Sequence, residues 1–254
     1  MNSILYEQPL NERIRTLLKL ESLFIRFDNA AAGTDPWDSH NSIGILIDLL
    51  ALCARSDLKT EMIKELERLN GALTRLLNRA DVDQAMLKGV LGDMERARDQ
   101  LQSMQGQLAL ALRDNEFLNA IKQRITVPGG TCSFDLPALH LWLHQPHPIR
   151  LATLQGWVHE LDLVRSTVDM ILKLVRETSV TSLQTAENGV YQRNIDGIGV
   201  LQLLRIALPD DSQLFPEVSA GKQRFSIYFR KLDLDGRPAQ TTSDVTFFLT
   251  TCVL

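Results

Sequence analysis

Cysteine is scarce: Cys53, Cys132 and Cys252 are odd in number and far apart, which fits reduced, buried thiols better than a disulfide framework or a zinc site. No run of apolar residues is long. The best, Ile43 to Ala54, is broken by Gly44 and Asp48 and falls well short of the roughly 20 residues that a membrane span needs. The N-terminal stretch lacks a basic segment followed by a long apolar one, so no export signal is read there and a cytoplasmic location is expected. A basic excess is missing too. The formal net charge is −4, whereas phosphate neutralisation normally leaves a nucleic-acid binder basic. Aromatic residues make up only 6% of the chain. The signatures of common enzymes are also absent: no G-x-S-x-G elbow, no phosphate-cradling G-x-x-x-x-G-K-[ST] loop and no G-x-G-x-x-G. No enzyme activity and no cofactor are therefore expected.

What remains is an ordinary globular composition, 44% hydrophobic and 23% charged over 254 residues, enough for one large or two modest domains. The pattern changes near Thr178. Before it, apolar residues recur at helical spacing; after it, short alternating runs are separated by Gly, Asp and Pro clusters. The expected fold is α+β: a mainly helical N-terminal domain over residues 1–178 with a long helical hairpin, then a small antiparallel β domain over 179–254.

Pro9 to Phe27 reads as a first helix, with Ile14, Leu17, Leu18, Phe24 and Ile25 inward. Asp35-Pro36 reads as the start of a second, running to about Arg55. Met62, Leu66, Leu69, Leu73 and Leu76 form one heptad seam, and Leu87, Val90, Met94, Ala97, Leu101, Met104 and Leu108 another. The Asn78–Asp83 connection is short enough for an antiparallel hairpin, whether it projects or packs as two bundle helices. Asp114 is read as the cap of a helix through Ile125, and Asp135-Pro137 as the start of a short one. Leu151 to Glu177 reads as a last helix with a bend near Asp162 and a third seam, Leu161, Val164, Val168, Ile171 and Val175. Three seams exceed what one small bundle needs, leaving apolar surface for a two-fold contact and predicting a dimer. Leu201–Leu208, Arg224–Leu232 and Val245–Cys252 read as strands, with Asp235-Gly236 turning between the last two. Phe225, Ile227 and Phe229 share one face of their strand, so Arg224, Ser226, Tyr228 and Arg230 form a basic, aromatic solvent face.

Two clusters carry possible chemistry. His140, His144 and His147 include an i, i+4 pair, but only Asp135 adds a nearby carboxylate, so packing or peptide contact is preferred and no metal is assigned. Lys222, Arg224, Arg230 and Lys231 lie within ten positions that hold no acidic residue. That run is either a solvated strand face or an anion- or peptide-recognition surface.

Four strings, Tyr6-Glu-Gln-Pro-Leu-Asn-Glu-Arg-Ile-Arg15, Lys64-Glu-Leu-Glu-Arg68, Val127-Pro-Gly-Gly-Thr-Cys-Ser-Phe-Asp-Leu-Pro-Ala-Leu-His-Leu-Trp-Leu-His144 and Asn188-Gly-Val-Tyr-Gln192, resemble the ZapD family across essentially the whole chain. The resemblance implies a symmetric homodimer that recognises the C-terminal tail of the tubulin-like GTPase FtsZ and cross-links its protofilaments at the mid-cell division site. The positions it carries over are Arg15 and Lys19 in the first helix, Arg113, His140 in the signature, and Lys222 and Arg224 at a strand entry, lining one cleft between domains. Tyr228 departs from the basic residue expected in relatives. Pro128, Gly129, Gly130 and Phe134 are read as structural, the first three shaping the turn and Phe134 plugging the core beneath it. The alternative is a helical regulator whose basic cleft takes nucleic acid.

Overall fold

The computed structural model describes residues 3–77, 79, 81–195, 200–221 and 223–253. It has the α+β architecture that the change of pattern predicts. The chain forms two compact units: residues 16–171, and residues 1–15 together with 172–254. The division differs from a single cut at residue 178, because the N-terminal segment joins the sheet-bearing unit and the last helix is shared.

In the helical unit, α1 (Glu12–Ala31) buries Ile14, Leu17, Leu20, Phe24 and Phe27, while Ile25, expected inward, is exposed. The true stripe steps over Ile25 at the i, i+3, i+4 spacing of Leu20, Leu23, Phe24 and Phe27. Next comes α2 (Pro36–Cys53), closed at its start by a capping box in which Asp35 accepts from the Trp37 N–H at 2.8 Å and Asp38 from the Asp35 N–H at 3.1 Å. Ile43, Ile45, Leu46, Ile47, Leu49 and Leu50 are all buried, while Asn41, Asp48 and Ala51 stay exposed along one side; so wide an apolar face packs against the interior of its unit.

The two heptad segments become α3 (Leu58–Thr74) and α4 (Gln84–Ser103), which pack on each other. Met62, Leu66, Leu69, Leu73, Leu87, Met94, Ala97 and Leu101 are buried along the seams. They are spent within the chain, as are Leu161, Val164, Val168, Ile171 and Val175, so the seams do not supply the surplus surface expected for a dimer. The second seam also stops short of Leu108, because the chain leaves the helix at Met104 and turns through Gly106 and Ala109, both at positive φ. In α3 the carboxylate of Glu65 is fully buried and takes Arg68 Nε at 3.1 Å and Nη2 at 2.5 Å. The Lys64–Arg68 string is thus a structural ion pair.

A one-turn α5 (Leu110–Arg113) leads to α6 (Glu116–Arg124), capped by Asn115, whose Oδ1 accepts from the Leu118 N–H at 3.0 Å. The expected cap, Asp114, instead ends α5. Then follow α7 (Pro137–Leu143), α8 (His147–His159) and α9 (Asp162–Glu177); the bend expected near Asp162 is a full break between α8 and α9. Among the described residues no helix is long and apolar enough to cross a membrane.

The other unit holds two antiparallel sheets. The first runs in the order β1 (Ser3–Pro9), β4 (Leu201–Pro209), β8 (Val245–Val253), β2 (Ser179–Ala186). The second is β3 (Val190–Asn194), β6 (Arg224–Lys231), β5 (Leu214–Ala220), with the two-residue β7 (Ala239–Gln240) also paired to β6. The Asp235-Gly236 turn therefore returns the chain to β7 before β8 begins. The step from the first sheet to the second is the turn Asn188-Gly189, both residues at positive φ, the signature of a type I′ hairpin turn. A Cβ on Gly189 would stand 2.5 Å from the Thr241 carbonyl oxygen, so only glycine fits there.

Phe225, Ile227 and Phe229 of β6 are fully buried and cluster with Leu204, Ile206, Phe247 and Leu249 of the first sheet. The Phe229 and Phe247 rings are 4.8 Å apart, and each fully buried aromatic side chain contributes about 1.5–3 kcal/mol. On the outer face of the first sheet, Glu7 accepts from Arg176 Nη2 at 2.7 Å and lies 2.9 Å from Arg205 Nε. This triad ties β1, β4 and the end of α9 together. Beside it, Leu5, Ala207, Phe248 and Leu183 stand in one cross-strand row, with Leu5 46%, Phe248 53% and Leu183 60% exposed.

Candidate functional site

The sequence-derived basic set is spread over both units. Arg15 is exposed near the start of α1 and pairs with Glu12 at 3.2 Å; Lys19 is exposed one turn on. Arg113 ends α5, half-buried and hydrogen-bonded to Gln107. His140 is exposed on α7, and Arg224 is exposed at the tip of the β5–β6 hairpin, where its carbonyl accepts the Gly221 N–H at 2.9 Å. Lys222 lies outside the described residues. Lys19, Arg113 and His140 sit on three different helices of the helical unit, each with its own neighbours.

The outer face of β6 is less open than the alternation implied. Ser226 is buried, Tyr228 is half-buried, and Arg230 is engaged with Glu217 at 2.7 Å and the Pro238 carbonyl at 3.2 Å. Strands β5 on one side and β3 and β7 on the other confine these side chains. Only Arg224 keeps its charge at the open end.

Around His140 the structure builds a cleft of about 520 Å³, lined in part by Trp37, Thr131, Cys132, Phe134, His140 and His144. Its loop wall is a chain of tight turns: Val127 N–H to Arg124 O, Gly130 N–H to Val127 O, Cys132 N–H to Gly129 O and Asp135 N–H to Cys132 O, all 2.9–3.1 Å. Gly129 holds φ 72, and a Cβ on Gly130 would stand 2.4 Å from the Arg124 carbonyl oxygen. Both glycines therefore shape the turn, as expected. Phe134 does not plug the core: it is 83% exposed. Cys132 is exposed as well, unlike the buried Cys53 and Cys252, whose thiols burial pushes up to about 12 and about 11.

The helix wall is α7. Its rear is fixed by buried Leu139 and by Trp142, which stacks 6.0 Å from Trp157 of α8 and lies 6.1 Å from Phe117 of α6. Its front shows His140 and His144, ring centroids 4.3 Å apart, with His144 Nδ1 donating to the His140 carbonyl at 2.7 Å. His147 belongs to α8. Among the described residues no group of three His, Cys, Asp or Glu is placed to hold a metal ion.

Beneath the cleft lies Arg150, 4% exposed. Its guanidinium donates to Ser39 Oγ at 3.0 Å, the Thr34 carbonyl at 2.7 Å, and the Leu143 and Gln145 carbonyls at 3.3 and 2.6 Å. One side chain thus joins the start of α2, which carries Trp37, to the end of α7, which carries His140. A second tie is His40, whose Nε2 lies 3.2 Å from Thr131 Oγ1 and whose ring meets Trp37 edge-on at 5.5 Å.

Burial holds the His40 pKa below its ordinary 6.5. The unfolded chain therefore binds a proton near 6.5 that the folded chain refuses, so this contribution to stability is present above 6.5 and lost as pH falls below it. His40→Gln is expected to flatten the acid limb of the stability curve. Urea unfolding of both proteins above and below 6.5 checks it; identical losses on acidification would reject the assignment.

Sequence periodicity misses this cleft because Trp37 and Phe134 look like core residues. The available signal is phase: Trp37 stands among Pro36, Asp38, Ser39 and His40, ahead of the apolar stretch of its own helix.

Comparison with known proteins adds an independent line. The profile of a family described as "ZapD: Cell division protein" matches residues 18–228. The chain is similar to the cell division protein ZapD of Methylococcus capsulatus, 37% identical over 253 residues that cover 100% of this chain and 99% of that protein. It is 39% identical to that of Cupriavidus pinatubonensis over 250 residues, 98% and 99% of the two chains. With that of Azoarcus sp. it shares 36% over 251 residues, 99% and 100%.

Proposed function

The chain belongs to the ZapD family of cell division proteins, and we propose that it is a non-enzymatic adaptor that binds the C-terminal tail of FtsZ and bundles FtsZ protofilaments at the mid-cell division site in the cytoplasm. The observation that carries this reading is the full-length similarity to cell division proteins. Exposed cations support it: Arg15, Lys19 and Arg224 stand open to solvent, where they offer charge-assisted bonds to carboxylates of a short peptide. Arg113 and Lys222 complete the set by resemblance, and His140 lines a cleft.

Bundling by a passive adaptor needs two sites in one particle, which a homodimer supplies. The row Leu5, Ala207, Phe248 and Leu183 favours self-association, because a flat apolar strip across four strands suits an isologous contact in which the same patch meets itself. Two weak tail contacts on neighbouring filaments then reinforce each other through effective concentration.

Arg224→Glu tests the tail reading. Arg224 sits on an exposed hairpin tip, so the substitution is expected to leave helical circular dichroism unchanged. Losing one charge-assisted bond of about 1–3 kcal/mol should weaken binding of FtsZ tail peptide roughly tenfold, with the remainder falling further as salt rises. Unchanged tail affinity would remove Arg224 from the site.

A further inference from the structure

The α3–α4 hairpin is built in three zones of unequal strength. Its base is held firmly. Met62 and Leu66 of α3 and Met94, Ala97 and Leu101 of α4 are buried along the seam, and the Glu65 carboxylate takes Arg68. Lys59 Nζ donates to the Met104 carbonyl at 2.5 Å, tying the first turn of α3 to the end of α4. The connection at the far end is held as well. Asp83 Oδ1 accepts from the Ala85 and Met86 N–H groups at 2.9 and 3.0 Å, Gln84 Nε2 donates to the Arg79 carbonyl at 2.9 Å, and Arg79 pairs with Asp81 at 2.6 Å.

Between these two zones the helices are weak. Gly44, Gly71, Gly89, Gly92 and Gly156 are the glycines inside helices among the described residues, and three of them, Gly71, Gly89 and Gly92, stand in this stretch. Packing does not call for them. A Cβ on Gly71 or Gly89 would meet nothing within 4 Å, and one on Gly92 would only touch the end of the Arg96 side chain at 3.6 Å; at Gly44 of α2, by contrast, a Cβ would crowd Ile125 at 3.3 Å. Nor does any of the three hold a positive φ. A helical glycine with no steric duty still leaves its helix easier to unwind, because it regains the most backbone freedom on release. All three lie within about 12 Å of helix from the connection, at a rise of about 1.5 Å per residue, so their effects fall on one short section. The end of α3 adds to this: no basic side chain stands in its last turn, where a cation would be favourable, and it runs out through tight bonds from the Leu76 N–H to Leu73 O and from the Leu77 N–H to Thr74 O.

We propose that the outer part of this hairpin is a conformational device: residues 69–74 and 87–92 open and close as a local unit while the base stays paired, and the three glycines set how often it opens. Leu69, Leu73 and Leu87, buried in the closed form, become accessible in the open one. Local opening of this kind costs less than global unfolding. A ligand that binds one form better than the other shifts the balance by its difference in affinity, so the arm is open to regulation without any change at its base. The inference does not depend on the tail reading.

The test is amide hydrogen exchange on the full-length protein, parent against Gly71→Ala/Gly89→Ala/Gly92→Ala. In the parent, amides of residues 69–74 and 87–92, corrected for intrinsic rates, should exchange about tenfold or more faster than those of residues 62–66 and 94–101. Alanine at all three positions should slow the outer amides about tenfold or more, at roughly two- to fivefold per site, and leave the base amides unchanged. Gly156→Ala, at a glycine of α8 whose Cβ would also meet nothing within 4 Å, should alter neither section. Equal protection of the two sections in the parent, or a triple-alanine protein in which neither section slows or both slow alike, would overturn the proposal.

Discussion

FtsZ filaments that lack the C-terminal tail are expected to sediment at low speed to the same extent with and without this protein, a complete loss of bundling. The reasoning is thermodynamic. An adaptor acts in proportion to the sites it occupies, and removing the tail removes the ligand, so no residual activity should persist. The effect should also require two sites per particle. Replacing Leu183 and Phe248 by Asp, which places two charges in the exposed row of the first sheet, should split the proposed dimer, leave binding of an isolated tail peptide intact and abolish bundling. Light scattering and low-speed sedimentation read the two halves of this expectation. Bundling of tail-less filaments would sink the tail mechanism. A bundling-competent monomer would sink the two-site argument while sparing tail recognition.

Arg150→Met is expected to destabilise the helical unit by about 3–5 kcal/mol, the range for breaking a buried polar network by removing one partner. Methionine fills much of the same volume, so the loss is chiefly one of hydrogen bonds. Ser39 Oγ and the carbonyls of Thr34, Leu143 and Gln145 lose their common donor, and each acceptor left dry costs about 1–3 kcal/mol. Part of this is recovered where water reaches the site. Thermal unfolding should begin roughly 10 °C lower. Arg150→Lys keeps the charge but has no planar fork to span four acceptors, so it should fall between the two. A Met variant as stable as the parent would show that the network is incidental.

How far the sequence foretells the molecule depends on whether the deciding interaction is local. The change from helical to alternating patterning near Thr178, the seams of α3, α4 and α9, the inward face Phe225, Ile227 and Phe229, and the start of α2 at Asp35-Pro36 were all readable, because periodicity and capping are properties of neighbouring residues. Strand β1 was not. Its segment reads as an approach to the first helix, and only pairing with β4, some two hundred residues away, makes it a strand. Strands β2, β3, β5 and β7 lacked the apolar strength to stand out alone.

The sequence by itself determined the family, through strings too long to recur by chance, and with it the division role. It also determined the α+β class and the turn made by Val127 to Gly130. Tertiary structure decided which residues those strings leave accessible. Phe134 faces solvent instead of the core, Arg230 is taken up by Glu217 while Arg224 is not, and Arg150, a charged residue in an unremarkable helix, binds two helix ends together. Exposure and partnership are fixed by whatever packs alongside, and that information is carried by residues far away in the chain.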